Sequence, residues 1–263
     1  MALPTCRSCS QTGLLPILSL GTTPLANRLL TETQVGQPEP SFPLDLVFCP
    51  HCTLVQITET VPQETLFSEY LYFSSFSDTM VQHAQDIAHR LVRVRELNKR
   101  SLVVEIASND GYLLQHYQQS GIPVLGIEPA TNIARVAEER GIPTLCAFFS
   151  ESVARQLCSE GNQADVIHAN NVLAHVPALN SVVSGIAIAL KERGVAVIEV
   201  AYLCDLIDHV EFDTIYHEHM YYYSLTALAT LFDRHGLHVI DVERIPIHGG
   251  SIRVFVSTLS ETY

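Results

Sequence analysis

The chain has 263 residues, enough for one large domain or two modest ones. Fifteen Lys and Arg against 28 Asp and Glu give a formal net charge of −13, which excludes a basic face for a nucleic-acid backbone. Hydrophobic residues at 47% and charged residues at 16% describe a core-rich globular chain and exclude a disordered one.

The start MALPTCRSCS lacks a basic segment followed by an apolar run, so no leader is expected there. The longest stretch without Asp, Glu, Lys or Arg, residues 166–190, is broken by Asn170, Asn171, His175, Pro177 and Asn180. It does not read as a membrane span. The expectation is a cytoplasmic enzyme with no membrane or nucleic-acid partner.

Seven cysteines without a secretion signal argue against a disulfide framework. Four of them form Cys6-x-x-Cys9 and Cys49-Pro-His-Cys52. Two such knuckles can close a tetrahedral thiolate site for Zn²⁺, with no open position left for catalysis. Residues 1–60 are expected to be a small zinc-binding module with strands between the knuckles, the metal replacing a core that the module lacks. Cys146, Cys158 and Cys204 sit in apolar contexts and are expected to be buried packing residues.

An aromatic segment follows, with Phe67, Tyr70, Tyr72, Phe73 and Phe76. Asp78 reads as the N-cap of a helix running to about Asn98, and residues 61–100 are taken as a linking unit. From Ser101 strands alternate with helices. Strands are predicted over 102–107, 124–128, 144–148, 165–168, 195–201, 237–243 and 251–257. Helices are predicted over 111–120, 131–140, 180–192 and 224–235. This is an α/β pattern, a mainly parallel sheet with helices on both faces, assigned to residues 101–263. Such sheets bind ligands at the carboxyl ends of their strands.

The first strand turns into its helix through Glu105-Ile-Ala-Ser-Asn-Asp-Gly111. Ala107, Ser108 and Gly111 let a ligand approach the backbone, but no G-x-G-x-x-G is present for a pyrophosphate. The second strand ends in Glu128, whose carboxylate can accept hydrogen bonds from both hydroxyls of a ribose. A cationic nucleoside, S-adenosylmethionine, suits this pattern. Past the fifth strand comes Tyr216-His217-Glu218-His219, and His175 follows the fourth. Imidazole is the natural base near neutral pH, a carboxylate can orient it, and phenol or imidazole can donate to a developing oxyanion. His217 and His219 also read as a surface pair or as ligands of a second metal.

Taken together, Cys6-x-x-Cys9, Cys49-Pro-x-Cys52, Tyr72-Phe-Ser-Ser75, the 105–111 run, Gly126-Ile-Glu-Pro129, Asn170-Asn171-x-x-x-His175-x-Pro177, Tyr216-His-Glu-His219 and His248-Gly-Gly-Ser251 resemble the zinc-containing sugar C-methyltransferases of deoxysugar pathways. The resemblance implies a class I (Rossmann-like) S-adenosylmethionine-dependent methyltransferase fold with a structural zinc. It implies methyl transfer, through an enolate, to the carbon beside the keto group of a dTDP-linked deoxysugar. His219, Glu218, Tyr216, His175 and Tyr72 match the family's active-site positions, with His219 the first choice as base and His175 the alternative. Glu105, Ala107, Asn109, Gly111 and Glu128 match its cofactor positions, and Phe149 and Asn170 are assigned to the same site. Family members continue past the His-Gly-Gly-Ser strand into a third domain that completes the sugar-nucleotide pocket. This chain stops at Tyr263, which reads as a natural short form, a fragment, or one half of a two-chain enzyme in which a second polypeptide supplies that domain. The alternatives are a zinc- and S-adenosylmethionine-binding subunit that depends on a partner, and an O- or N-methyltransferase of a small metabolite.

Overall fold

A computed structural model describes residues 5–62 and 73–259. The two cysteine knuckles are built alike. In each, the amide four residues past the first cysteine donates to its carbonyl, Ser10 to Cys6 at 2.8 Å and Thr53 to Cys49 at 2.9 Å. Ser10 and Thr53 both take left-handed φ, 61° and 60°, and each such turn brings its two thiols to one side. Between the knuckles run β1 (Leu15–Pro24) and β2 (Ser41–Phe48), and β3 (Val55–Ile57) follows the second, all paired antiparallel. The Arg7 side chain ties the first knuckle to the end of β3 through the carbonyls of Ile57, Thr58 (3.0 Å) and Glu59 (2.9 Å).

Contrary to expectation, the N-terminal module does not lack a core. Leu44, Leu46, Leu54, Val55 and Ile57 are buried in the same apolar cluster as the residues of the large sheet.

The first long helix, α1 (Asp78–Val94), is capped by Ser77, whose Oγ accepts from the Met80 amide. Asp78 lies in the first turn instead, where its charge favours the helix dipole. Met80, Ala84, Ile87, Ala88 and Leu91 form its buried stripe. The remaining elements are β4 (Val103–Ile106), α2 (Leu114–Gln119), β5 (Val124–Ile127), α3 (Thr131–Glu139), β6 (Thr144–Leu145), α4 (Glu151–Ser159), β7 (Ala164–Asn170), α5 (Leu179–Ala189), β8 (Leu190–Ala201), α6 (Leu203–His209), β9 (Tyr221–Tyr222), α7 (Leu225–Asp233), β10 (His238–Ile245) and β11 (Ser251–Ser257).

Among the described residues the large sheet has seven strands in the order β10-β11-β8-β7-β4-β5-β6. β4 to β8 are parallel, and β11 is antiparallel to both of its neighbours. The order reverses at β4, between β5 and β7, which puts a crevice at the carboxyl ends of those strands. Arg253 on β11 is buried against Glu199 on β8 at 2.6 Å, and His83 on α1 reaches the same carboxylate at 2.9 Å. This network fixes α1 to the sheet.

Four strands and helices were not predicted. β3 follows the second knuckle, helix α4 follows the cap of Ser150 on the Val153 amide, α6 opens directly after β8, and β9 joins the N-terminal sheet rather than the large one. The reading of the remaining cysteines needs correction. Cys146 and Cys204 are exposed and Cys158 is half-buried, because they fall past the end of β6, in the first turn of α6 and on the outer side of α4.

Candidate active site

A cavity of about 590 Å³ opens at the carboxyl ends of β4, β5, β7 and β8. That is within the usual size of a small-molecule site. Its cofactor side is formed by the loop after β4. Ala107 and Asn109 adopt left-handed φ of 53° and 50°, a costly conformation for alanine that tends to persist where a ligand or partner requires it. Asn109 Oδ1 accepts from the Ser74 amide at 2.9 Å, which docks the turn before α1 onto this loop.

Glu128 stands at the end of β5. One carboxylate oxygen accepts from the Asn109 amide and the other from the Ala130 amide, each at 2.9 Å. Burial raises its pKa, and those two amides oppose the rise. Each oxygen keeps further accepting capacity for ribose hydroxyls. Asn170 Oδ1, at the end of β7, is buried without a hydrogen-bond partner on the cavity wall, an acceptor awaiting a donor. Phe149 lines the wall with Phe148, aromatic faces on which a base can stack.

Glu105 and Gly111 do not line the cavity. Glu105 is buried within β4, where burial and the nearby carboxylates of Glu128, Asp110 and Glu199 push its pKa well above the usual range. Gly111 is needed for packing, since a Cβ there would meet Ile142 Cγ1 at 2.7 Å and its φ is +79°. An S-adenosylmethionine molecule fits the rest of this set, with Glu128 holding its ribose and Asn170 receiving an N–H.

The same cavity is lined by His175, Tyr216, Glu218 and His219, which the structure brings together. His219 Nδ1 lies 2.9 Å from the carbonyl of Thr214, which can only accept, so Nδ1 carries the proton. Nε2 is then the bare nitrogen, and it receives the Tyr216 hydroxyl at 3.0 Å. Burial lowers the His219 pKa, which keeps this base-ready form at neutral pH. The His175 ring lies edge-on to His219 with centroids 4.9 Å apart, and burial first, then His219, push it down to about 3. It is a neutral imidazole. Glu218 Oε1 accepts from Asn27 Nδ2 at 2.8 Å. Burial raises the carboxyl's pKa, and Asn27 opposes that.

His217 departs from the expected surface pair. It is 1% exposed, turned away from the cavity, and donates from Nε2 toward the carbonyls of Phe42 and Pro43 at 3.3 and 3.1 Å. Tyr72 lies outside the described residues. Asn27, Asp213 and His248 also line the cavity. Asn27 and Asp213 were missed, and nothing in their local sequence marks them. His248 was quoted only within a motif.

In the N-terminal module, the Sγ atoms of Cys6, Cys9, Cys49 and Cys52 lie within 4.8 Å of one another, the only metal-ligand cluster among the described residues. Cys6 and Cys52 are 3.5 Å apart, Cys9 and Cys49 3.6 Å. Bonds of about 2.3 Å to a central ion would set thiolates roughly 3.8 Å apart in a tetrahedron, so the four fit Zn²⁺ with no vacant position.

The sheet order and the cavity at its switch point are those of a class I S-adenosylmethionine-dependent methyltransferase, and the chain belongs to that family. The family model described as a methyltransferase domain matches residues 80–242, and one described as a zinc binding domain matches residues 6–67. The C-methyltransferase NovU of Streptomyces niveus is 37% identical over 252 residues, covering 96% of this chain and 60% of its own length. The chain thus spans about three-fifths of the curated relative that it matches. Two solved structures share the fold. Magnesium protoporphyrin IX methyltransferase from Synechocystis PCC 6803, with bound SAH, has a TM-score of 0.53 at 15% identity over 67% of this chain and 82% of that one. The PH0226 protein of Pyrococcus horikoshii has a TM-score of 0.56 at 14% identity over 76% and 99%. Among the described residues no helix is long and apolar enough to cross a membrane.

Proposed function

We propose that the chain methylates the carbon beside the keto group of a nucleotide-linked deoxysugar, a dTDP-ketosugar, by way of an enolate. The observation that carries this reading is the unprotonated Nε2 of His219, held by Thr214 and Tyr216 in the lining of the cavity that Glu128 also lines. The likeness to a C-methyltransferase supports carbon as the acceptor.

Carbon must become nucleophilic before it can be methylated, and a ketone allows this by losing an adjacent proton. His219 Nε2 takes that proton. The Tyr216 hydroxyl, which donates to Nε2 at rest, can then turn its oxygen to accept from the imidazolium and stabilise it. His175, a neutral imidazole, donates to the enolate oxygen. Removing an oxyanion donor from such sites commonly costs about 10²-fold or more in rate. Bound S-adenosylmethionine supplies the electrophilic methyl on its sulfonium. Glu128 fixes its ribose, and Phe148 and Phe149 shield it from water.

A second reading is favoured by one observation. No Lys or Arg lines the cavity among the described residues, so nothing there pairs with a diphosphate. The chain would then bind the methyl donor and depend on a further domain or polypeptide for the sugar nucleotide.

The test is incubation with labelled S-adenosylmethionine and a thymidine-diphosphate 4-ketosugar, followed by mass spectrometry. A sugar nucleotide heavier by one methylene is expected, together with solvent-deuterium exchange beside the ketone when donor is withheld. Donor binding without product supports the partner-dependent reading. Methylation without exchange points to an O- or N-acceptor and overturns the enolate.

A further inference from the structure

Asn27 belongs to the zinc-binding domain, in the turn after β1, yet it stands at the rim of the cavity and its Nδ2 donates to Glu218 Oε1 at 2.8 Å. This contact is one of several that join the module to the segment bearing Glu218 and His219. β9 begins two residues past His219 and pairs antiparallel with β3, Val55 opposite Tyr222 and Gln56 opposite Tyr221. The Ile57 amide donates to the Met220 carbonyl at 3.0 Å. His217 reaches back to the carbonyls of Phe42 and Pro43 on β2. The run from His217 to Tyr222 is therefore tied to the zinc-binding domain at His217, Glu218, Met220, Tyr221 and Tyr222. Among these contacts the Asn27 bond is the one that grips a carboxyl facing the cavity.

We propose that Asn27 is a positioning residue for methyl transfer, holding the Glu218 carboxyl in orientation beside Tyr216 and His219. The proposal rests on the functional reading above and extends the working site into the zinc-binding domain. A primary amide donor stabilises the ionised carboxylate over the neutral acid. Among the described residues no Arg or Lys lines this cavity to take its place. The other titratable side chains lining the cavity include His175, His219, His248, Asp213, Glu128 and tyrosines such as Tyr216 and Tyr222, and burial holds the three histidines and Tyr222 toward their neutral forms. With the amide removed, the carboxyl keeps its burial and loses its donor.

The experiment compares the unaltered zinc-loaded chain with Asn27→Leu and Asn27→Gln. Glutamate labelled with ¹³C at the carboxyl is titrated by NMR, and Glu218→Gln identifies the resonance. S-Adenosylhomocysteine affinity is measured by calorimetry, and methyl transfer as kcat and KM. In Asn27→Leu, Glu218 is expected to titrate at higher pH than in the unaltered chain. kcat is expected to fall about tenfold, the scale of one hydrogen bond to a charged group. S-Adenosylhomocysteine affinity should be unchanged, and Asn27→Gln should recover part of both losses. Glu218 titrating at the same pH in all three proteins overturns the proposal. So does a loss of S-adenosylhomocysteine affinity in step with kcat, which marks a contact that only braces the fold. If the unaltered chain transfers no methyl to a ketosugar, the functional reading fails on its own, and the Glu218 titration still decides the role of Asn27.

Discussion

Two histidines separated by a single residue have opposite surroundings here. His219 keeps a bare Nε2 toward the cavity, while His217 is buried with its Nε2 proton directed at two backbone carbonyls. His219→Asn is therefore expected to cost about 10²-fold or more in kcat, the scale of a lost general base. His217→Asn should mainly lower stability, by about 1–3 kcal/mol for the carbonyls left unpaired. Steady-state kinetics and urea melts on both variants check this, and equal retention of activity in the two would contradict the assignment. Because burial depresses the His219 pKa, the base stays unprotonated below the ordinary imidazole value of 6.5. The acid limb of kcat/KM against pH is expected below that value, and a limb at or above it would count against His219. These residues were legible in the sequence because histidine, glutamate and tyrosine crowd into one short run. Asn27 was not, since a single asparagine in a Leu-Ala-Asn-Arg-Leu turn carries no pattern and its partner is 191 positions away.

Among the elements, what periodicity and caps encode was legible and what distant pairing decides was not. Ser224 at the start of α7 and Gly236 just past it, with φ +69°, bound that helix much as predicted. The stretch Ala-Leu-Lys-Glu has high helix propensity and was read as the end of α5. Instead Leu190 begins β8, paired with Ala164 on β7, so the ladder overrode local preference. β9 is two tyrosines long and exists through its pairing with β3. Close approach of elements also leaves a testable mark at Gly126 on β5, where a Cβ would lie 2.4 Å from Ser108 Oγ. Gly126→Ala is expected to destabilise the fold by about 1–3 kcal/mol through overpacking against the cofactor loop. Adding Ser108→Gly should return part of that loss. A double-mutant cycle read by urea denaturation tests the coupling, and strict additivity would refute the contact.

At the scale of the whole molecule, one apolar cluster runs from the zinc-binding domain through the large sheet, so the two share a core. Stripping the metal with a strong chelator is expected to lower the melting temperature and abolish methyl transfer, because β9 and the residues before it lose their support. S-Adenosylhomocysteine affinity should survive, since Glu128 and its loop stand on β4 and β5, and calorimetry on the stripped chain distinguishes the two effects. The interior also sets a pH response. His168 is buried beside Tyr117 at 2.8 Å, and burial pushes its pKa from 6.5 to about 3. Below pH 6.5 the unfolded chain takes up a proton that the folded one refuses, so this histidine's share of stability is complete above 6.5 and declines toward pH 3. His168→Gln is free of that penalty, so the stability gap between it and the unaltered chain should narrow as the pH falls through this window. Urea midpoints measure the gap, and a constant one would exclude the effect. The pairing of β3 with β9 also has a meaning in time. At about 5–20 residues per second, the ribosome needs roughly 10–30 s after making β3 to deliver the tyrosines that cover its open edge. During that interval the nascent chain displays an apolar strand with unpaired amides, the kind of edge that invites association with a neighbour. Early metal capture by the knuckles would hold that edge in a short, ordered hairpin until its partner emerges.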